Sequence, residues 1–242
     1  MKRILLSLIM VGCSYGLFAQ SFAIGARFNN SMLFLGEPEG AMYGLGTIWN
    51  FDFGVGRDAN FKVGLEFGYM AHFKTYDITV PYTDPNTNET SENSYEYLTA
   101  LGHTSIRANF AYYFYQRRSD WTPYASMGAG LNIGAYSATP NFLSGNFFNS
   151  GNDDPGPIVS PIAWAGFTLT PRAGIDYAVN EKWSVGAHFG FNLMSLKVPD
   201  WDNIQGDDFM GYTVNGKSKV AIATDLGFHA YYTFAKKRGR RR

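Results

Sequence analysis

Cysteine is nearly missing from this chain: Cys13 is the only one in 242 residues, and it falls in an amino-terminal segment that reads as removable. A mature chain without it has no disulfide and must fold without one. Charge is sparse as well. Lys, Arg, Asp and Glu together make up 17% of residues, and twenty of each sign cancel, so the balance suggests neither a nucleic-acid partner nor an acidic substrate. Also absent beyond residue 20 is any run approaching the roughly 18 consecutive apolar residues of a membrane helix. If the chain crosses a bilayer, it does so in strands.

What the sequence has in quantity is aromatic residues, 17% with Phe and Tyr dominant, and 27 glycines. Its length suits one all-β domain, and no stretch reads as a linker to a second. The first residues run Lys2-Arg3, an apolar stretch Ile4 to Val11, then Phe18-Ala19-Gln20. That is the pattern of a secretory signal peptide over residues 1–19, with cleavage after Ala19. Met10-Val11-Gly12-Cys13 loosely resembles a lipoprotein box, but the apolar run before it is short.

From Gln20 onward, eight segments alternate apolar and polar residues with a period of two, the signature of barrel strands. They are Gln20 to Asn29, Tyr43 to Phe53, Phe61 to Lys74, Tyr97 to Tyr115, Pro123 to Ala135, Phe167 to Tyr177, Trp183 to Leu193 and Ser218 to Phe234. In the third, Phe61, Val63, Leu65, Phe67 and Tyr69 oppose Lys62, Gly64, Glu66, Gly68 and His72. In the seventh, Trp183, Val185, Ala187, Phe189 and Phe191 oppose Gly186, His188, Gly190 and Asn192. Glycine recurs on the polar face, as expected where small inner residues leave room for a few large ones.

Connections alternate in length. Gly54 to Asn60, Gln116 to Thr122 and Ala178 to Lys182 are short, whereas the connections after segments one, three, five and seven, including Asp77 to Glu96, Tyr136 to Gly166 and Ser195 to Lys217, are expected to be long loops. The long ones hold the acidic residues Glu37, Glu39, Asp77, Asp84, Glu89, Glu92, Glu96, Asp153, Asp154, Asp200, Asp202, Asp207 and Asp208, against only Lys197 and Lys217. A basic tail, 236–242, follows the last strand. Short turns at one end and long loops at the other predict an all-β, up-and-down antiparallel transmembrane barrel of eight strands over 20–235, with both termini at the short-turn end.

Three stretches carry a family resemblance: Pro123-Tyr124-Ala125 leading into Gly128-Ala129-Gly130, Arg172 to Tyr177 before the turn at Asn180-Glu181-Lys182, and Leu226, Phe228, Ala230, Tyr232 and Phe234 in the last strand. With these the chain resembles the OmpA-like and opacity-type family of small outer-membrane barrels of Gram-negative bacteria. The resemblance implies an outer-membrane location, periplasmic termini and contact with outer-membrane lipid and lipopolysaccharide. It further implies recognition of the closing strand by the barrel-assembly machinery, with Phe228, Tyr232 and Phe234 as the signal. The chain continues past Phe234, a departure from the commonest pattern. Implied roles are structural, adhesive or envelope-interacting, with an envelope or surface protein as partner. The alternatives are a narrow pore or lateral route for small hydrophobic molecules, and an accessory role in secretion or envelope assembly.

The polar faces gather Lys62, Glu66, His72, Arg107, Arg172, Asp176, His188, Asp225 and His229. An eight-stranded barrel is filled by its side chains, and unpaired charge there is costly, so these residues are expected to form a polar plug. No catalytic centre, cofactor site or metal site is expected. Ser184 with His188, and Asp225 with His229, are each four residues apart, which on one strand separates them by roughly 13 Å. His72, His103, His188 and His229 lie on different strands and meet only if their depths match. Asp200, Asp202, Asp207 and Asp208 lack the spacing of a Ca²⁺ loop. Trp49, Trp121, Trp164, Trp183 and Trp201 are expected in the aromatic girdles at the membrane interfaces.

Overall fold

The computed structural model describes residues 21–36, 40–55, 60–83, 90–114, 119–140, 159–207 and 211–234, with side chains described except at 76–95, 139–140, 159–160, 201–207 and 211–215. The expected signal peptide (1–19), the basic tail (236–242) and Glu37, Glu39, Asp84, Glu89, Asp153, Asp154 and Asp208 fall outside the described residues.

Eight strands follow one another: β1 (Ser21–Gly36), β2 (Gly40–Val55), β3 (Phe61–Thr83), β4 (Thr90–Tyr113), β5 (Trp121–Pro140), β6 (Val159–Ala178), β7 (Trp183–Asp207) and β8 (Gly211–Thr233). Each pairs antiparallel with its neighbours, and β8 returns to β1 to close the barrel. The ladder can be followed once around, from Ile24 through Phe51, Leu65, Ala108, Ala129, Leu169, Leu193 and Ile222 to Phe34. It returns to β1 ten residues beyond its start. For eight strands that stagger corresponds to a tilt of roughly 40–45°, at the steep end of the barrel range.

The period-two reading transfers directly to burial. Along β1 the inward set is Ala23, Gly25, Arg27, Asn29, Ser31, Leu33 and Leu35, and the outward set includes Phe28, Met32 and Phe34. Among the described residues, the first charged groups at outward positions are Glu96 on β4 and Lys197 on β7, both at the long-loop end. Below them the outer wall is apolar and aromatic, including Trp49, Leu65, Phe67, Phe110, Leu131, Phe189 and Phe228. Trp49, Trp121 and Trp183 point outward as a girdle requires, but Trp164 does not: it is buried inside the barrel. Its inward position follows from parity with Gly166 and Thr168 on the same strand.

The expected long loops are largely strand. β3 and β4 stay paired out to Thr83 and Thr90, across most of Asp77 to Glu96, and β7 and β8 stay paired to Asp207 and Gly211 across Ser195 to Lys217. β5 likewise runs on to Pro140 and β6 starts at Val159. The extensions alternate only briefly, at Ile78, Val80 and Tyr82 in β3 and at Leu196 and Val198 in β7, and Pro81, Pro199 and the polar runs beyond them read as loop. A hairpin ladder needs only backbone pairing and a turn at its tip. At the tip between β1 and β2 the turn is flanked by Gly36 and Gly40, with φ of 76° and 63°, the left-handed region where glycine costs nothing sterically. At the other end, the expected short turn after β6 closes when Asn180 Oδ1 accepts the N–H groups of Lys182 and Trp183, both at 2.8 Å.

Candidate functional site in the barrel interior

Inside the barrel, the half toward the short turns is polar and the half toward the long hairpins is apolar. Glu66 on β3 is the centre of the polar half and is fully buried. Arg172 on β6 donates to it twice from Nη1, at 2.8 and 3.0 Å, and once from Nη2 at 3.1 Å. Arg27 Nη1 and Arg107 Nε each stand 3.2 Å from its oxygens, and Asn50 Nδ2 donates at 2.9 Å. Arg172 also donates from Nε to Asp225 on β8 at 2.5 Å, and Asn29 donates to the same carboxylate. Arg107 donates to Thr170 Oγ1 at 3.0 Å, and Arg27 donates from Nη2 to the Tyr231 hydroxyl at 2.6 Å.

The expected interior residues are thus placed as follows. Glu66, Arg107, Arg172 and Asp225 meet in one cluster. His229 Nε2 lies 2.6 Å from Asp176 Oδ1, and His188 Nε2 lies 3.4 Å from Asp225 Oδ1. Lys62 stays nearer the short-turn mouth, its Nζ 3.9 Å above the ring of Tyr113. There a small pocket of about 70 Å³ is lined by Lys62, Tyr113, Asp176 and Ser184, among others. Arg27, Asn29, Asn50 and Tyr231 complete the network and were not singled out in the sequence. The signal was present, since Arg27 sits between Ala26 and Phe28 and so must face opposite to both.

Glycines make these meetings geometrically feasible. Arg172 and Asp225 both pair with Gly190 of the strand between them, and His229 and Asp176 both pair with Gly186. A Cβ on Gly186 would stand 2.5 Å from His229 Nε2 and 2.8 Å from Asp176 Oδ1. Only a residue with no side chain lets groups two strands apart touch across the strand between them.

Toward the long hairpins the character changes. His72 and His103 stack with ring centroids 5.7 Å apart, His72 Nε2 lies 3.1 Å from Ser31 Oγ, and His103 lies 5.9 Å from Trp164. Beyond this layer the interior is filled by Leu33, Leu35, Met42, Tyr97, Leu101, Tyr136, Ala138, Met194, Leu196, Val198, Ala221 and Ala223, all buried and in one cluster with Trp164. The expectation of a polar plug therefore needs correcting in extent: polar residues fill one half, and an apolar stopper fills the other. Alternation says which residues point inward, and a barrel interior remote from lipid and water accepts either chemistry.

At the closing seam, Phe234 donates its backbone N–H to the Phe22 carbonyl at 2.8 Å and stacks on the Phe22 ring at 5.4 Å. Tyr232 lies between Trp183 and Phe234, with centroids 5.0 and 4.9 Å away, and Phe228 is 72% exposed on the outer wall. Of the acidic residues in the long connections, Asp200 pairs with Lys217 at 3.4 Å in a partly exposed bridge. Among the described residues no three His, Cys, Asp or Glu side chains converge as metal ligands.

No protein-family model and no curated protein matches the sequence. Solved structures do match. The chain is similar to Neisserial surface protein A at 16% identity and a TM-score of 0.50, covering 87% of this chain and 96% of that one. It is also similar to the outer membrane protein OprG from Pseudomonas aeruginosa, at 15% identity and a TM-score of 0.41, covering 89% of this chain and 96% of that one. A third is Ail, the attachment invasion locus protein of Yersinia pestis, at 10% identity and a TM-score of 0.43, covering 89% and 99%. At this identity the likeness is one of fold: the chain is a closed antiparallel eight-stranded barrel of the small outer-membrane type.

Proposed function

We propose that this chain is an integral outer-membrane barrel with a sealed interior, working through its outer wall and its hairpins rather than through a conducting lumen or a reaction. The observation that carries this reading is the apolar stopper. Leu33, Leu101, Tyr136 and Met194 are buried across the barrel above the Glu66 network, so a hydrated ion moving from the short-turn mouth would have to shed its water against apolar side chains. The roles consistent with a closed barrel are structural, adhesive or envelope-interacting, with lipid and lipopolysaccharide against the apolar wall and an envelope or surface protein at the hairpins. The outward, unobstructed Phe228 and the seam residues Tyr232 and Phe234 support a role in recognition by the barrel-assembly machinery.

Glu66, Asp176 and Asp225 are committed to arginines and histidines, and where a serine does meet an interior histidine, Ser31 Oγ at 3.1 Å from His72 Nε2, no described hydrogen bond joins that ring to a carboxylate that would orient it as a base. That favours a non-enzymatic role. The decisive measurement is conductance in planar bilayers, with the refolded protein expected to give no steady channel. A stable conductance that disappears on substituting Glu66 or Arg107 would sink the sealed-barrel reading. Fractionation and heat-modifiable gel migration test the membrane location, and solubility without detergent would overturn it.

A lateral route for small hydrophobic molecules is the second reading, and one feature favours it. The β6–β7 backbone ladder runs from Ala178 as far as Thr168 with Met194, skips Pro171, which has no N–H to give, and beyond Thr168 gives way to a side-chain bond from Phe167 N–H to Ser195 Oγ at 2.9 Å. Above that point the two strands flank the apolar interior. A disulfide across this seam should abolish uptake of a hydrophobic probe if the route exists.

A further inference from the structure

The barrel interior holds two histidine pairs, and they differ in how their ring nitrogens are committed. His72 and His103 are stacked nearly parallel, 11° apart, so their nitrogens do not converge. His188 on β7 and His229 on β8 do converge: their Nδ1 atoms face each other at 3.4 Å. Each of their Nε2 atoms is turned to a carboxylate, His229 to Asp176 at 2.6 Å and His188 to Asp225 at 3.4 Å.

The hydrogen-bonding inventory then leaves little freedom. An ionised carboxylate only accepts, so each Nε2 carries the ring hydrogen and each Nδ1 is left with a bare lone pair. Two lone pairs aimed at one another repel unless an electron-pair acceptor lies between them. A shared proton could bridge them only as a long hydrogen bond, of the same 3.4 Å length as that from His188 Nε2 to Asp225, and it is the alternative that metal titration excludes. Two imidazole nitrogens bound to one tetrahedral metal at about 2.0–2.1 Å stand about 3.3–3.4 Å apart, which matches.

We propose that His188 and His229 form a binding site for a borderline divalent transition-metal cation, of the Zn²⁺ and Cu²⁺ class, inside the barrel. Asp176 and Asp225 act as its outer shell. A metal-bound histidine characteristically gives its other ring N–H to a carboxylate, which fixes the tautomer and raises the basicity of the ligating nitrogen. Both histidines have that partner. The two protein nitrogens leave positions for water or for the Tyr124 hydroxyl, which is buried without a hydrogen-bond partner on a ring edge-on to His229 at 5.8 Å.

The surrounding charge moderates the affinity. Arg27 and Arg172 face His188, and Arg27 and Lys62 face His229, while the two aspartates offset them. With two protein ligands and this balance, binding is weaker than at a four-ligand site and strongest for Cu²⁺, following the usual order of divalent metals. Entry is from the short-turn mouth, because Asp176 both lines the pocket there and holds His229.

The test is calorimetric titration of the refolded, chelator-stripped barrel with Zn²⁺ and Cu²⁺. The expected result is one equivalent bound, weakened at least tenfold in H188Q and in H229Q and roughly 10- to 100-fold in D176N. H103Q should bind as the native protein does. Folding of each variant is checked by heat-modifiable migration. Should the variants fail to fold, Co²⁺ added to the native protein must broaden the ring resonances of His188 and His229 selectively. No binding by the native protein, equal binding in the folded H188Q and H229Q variants, or broadening elsewhere would each overturn the proposal.

Discussion

The two halves of the barrel interior solve the same packing problem with opposite chemistry. In the half near the short turns, one carboxylate is surrounded by three guanidinium groups, and a second, Asp225, shares one of them. In the half near the long hairpins, a cluster of buried apolar side chains fills the same cross-section. The polar half draws its specificity from directional bonds between strands far apart in sequence, Glu66 and Arg172 being separated by 106 positions. The apolar half is non-directional and excludes water. A network is costly to break at one point because its remaining charges stay buried, whereas an apolar cluster loses about what is cut away, plus the cavity.

Substitutions can break or sharpen that contrast. The largest effect is expected for Glu66→Ala, which leaves three arginines facing one another: a loss of about 3–5 kcal/mol or more, read as a lowered urea midpoint for folding into lipid vesicles. A change under about 1 kcal/mol would show that the network is not electrostatically coupled. Leu101→Ala in the apolar half should cost about 2–4 kcal/mol without altering the hydrogen bonds at Glu66, and the double variant should be close to additive. Strong non-additivity would mean that the halves form one unit.

Smaller effects locate the boundary. Asn132 is fully buried between the halves, and neither its Nδ2 nor its Oδ1 has a protein hydrogen-bond partner. Asn132→Leu should therefore be neutral or stabilise by about 1 kcal/mol, assigning this layer to the apolar side. A clear destabilisation in the same urea titration would assign it to the polar side. Least of all, Lys217→Ala removes a partly exposed bridge to Asp200 and should shift the midpoint by less than about 0.5 kcal/mol.

How far the site could be read in advance varied with the kind of information needed. Glu66 and Arg107 are direct register partners on neighbouring strands, and each is inward by parity along its own strand. Arg27 is equally legible by parity, lying between the outward Ala26 and Phe28. The histidine pairing was out of reach. His188 and His229 are not register partners, since His188 pairs with Gly227 and His229 with Gly186, and their meeting depends on the stagger between β7 and β8 and on those glycines leaving space. The extended hairpins are less legible for a different reason: their short alternations, Ile78 to Tyr82 and Leu196 to Val198, are interrupted by Pro81 and Pro199 and followed by polar runs.

By itself the sequence determined the eight strands, the face each residue takes and the apolar outer wall, because side-chain direction alternates with period two along any strand and lipid tolerates only one chemistry on its side. Only the tertiary structure decided the rest: that the interior divides into a polar network and an apolar stopper, and that two histidines present their Nδ1 atoms to each other. Those outcomes depend on depth, and depth is set by the ten-residue stagger around the closed ladder, a property of all eight pairings together that no single segment carries.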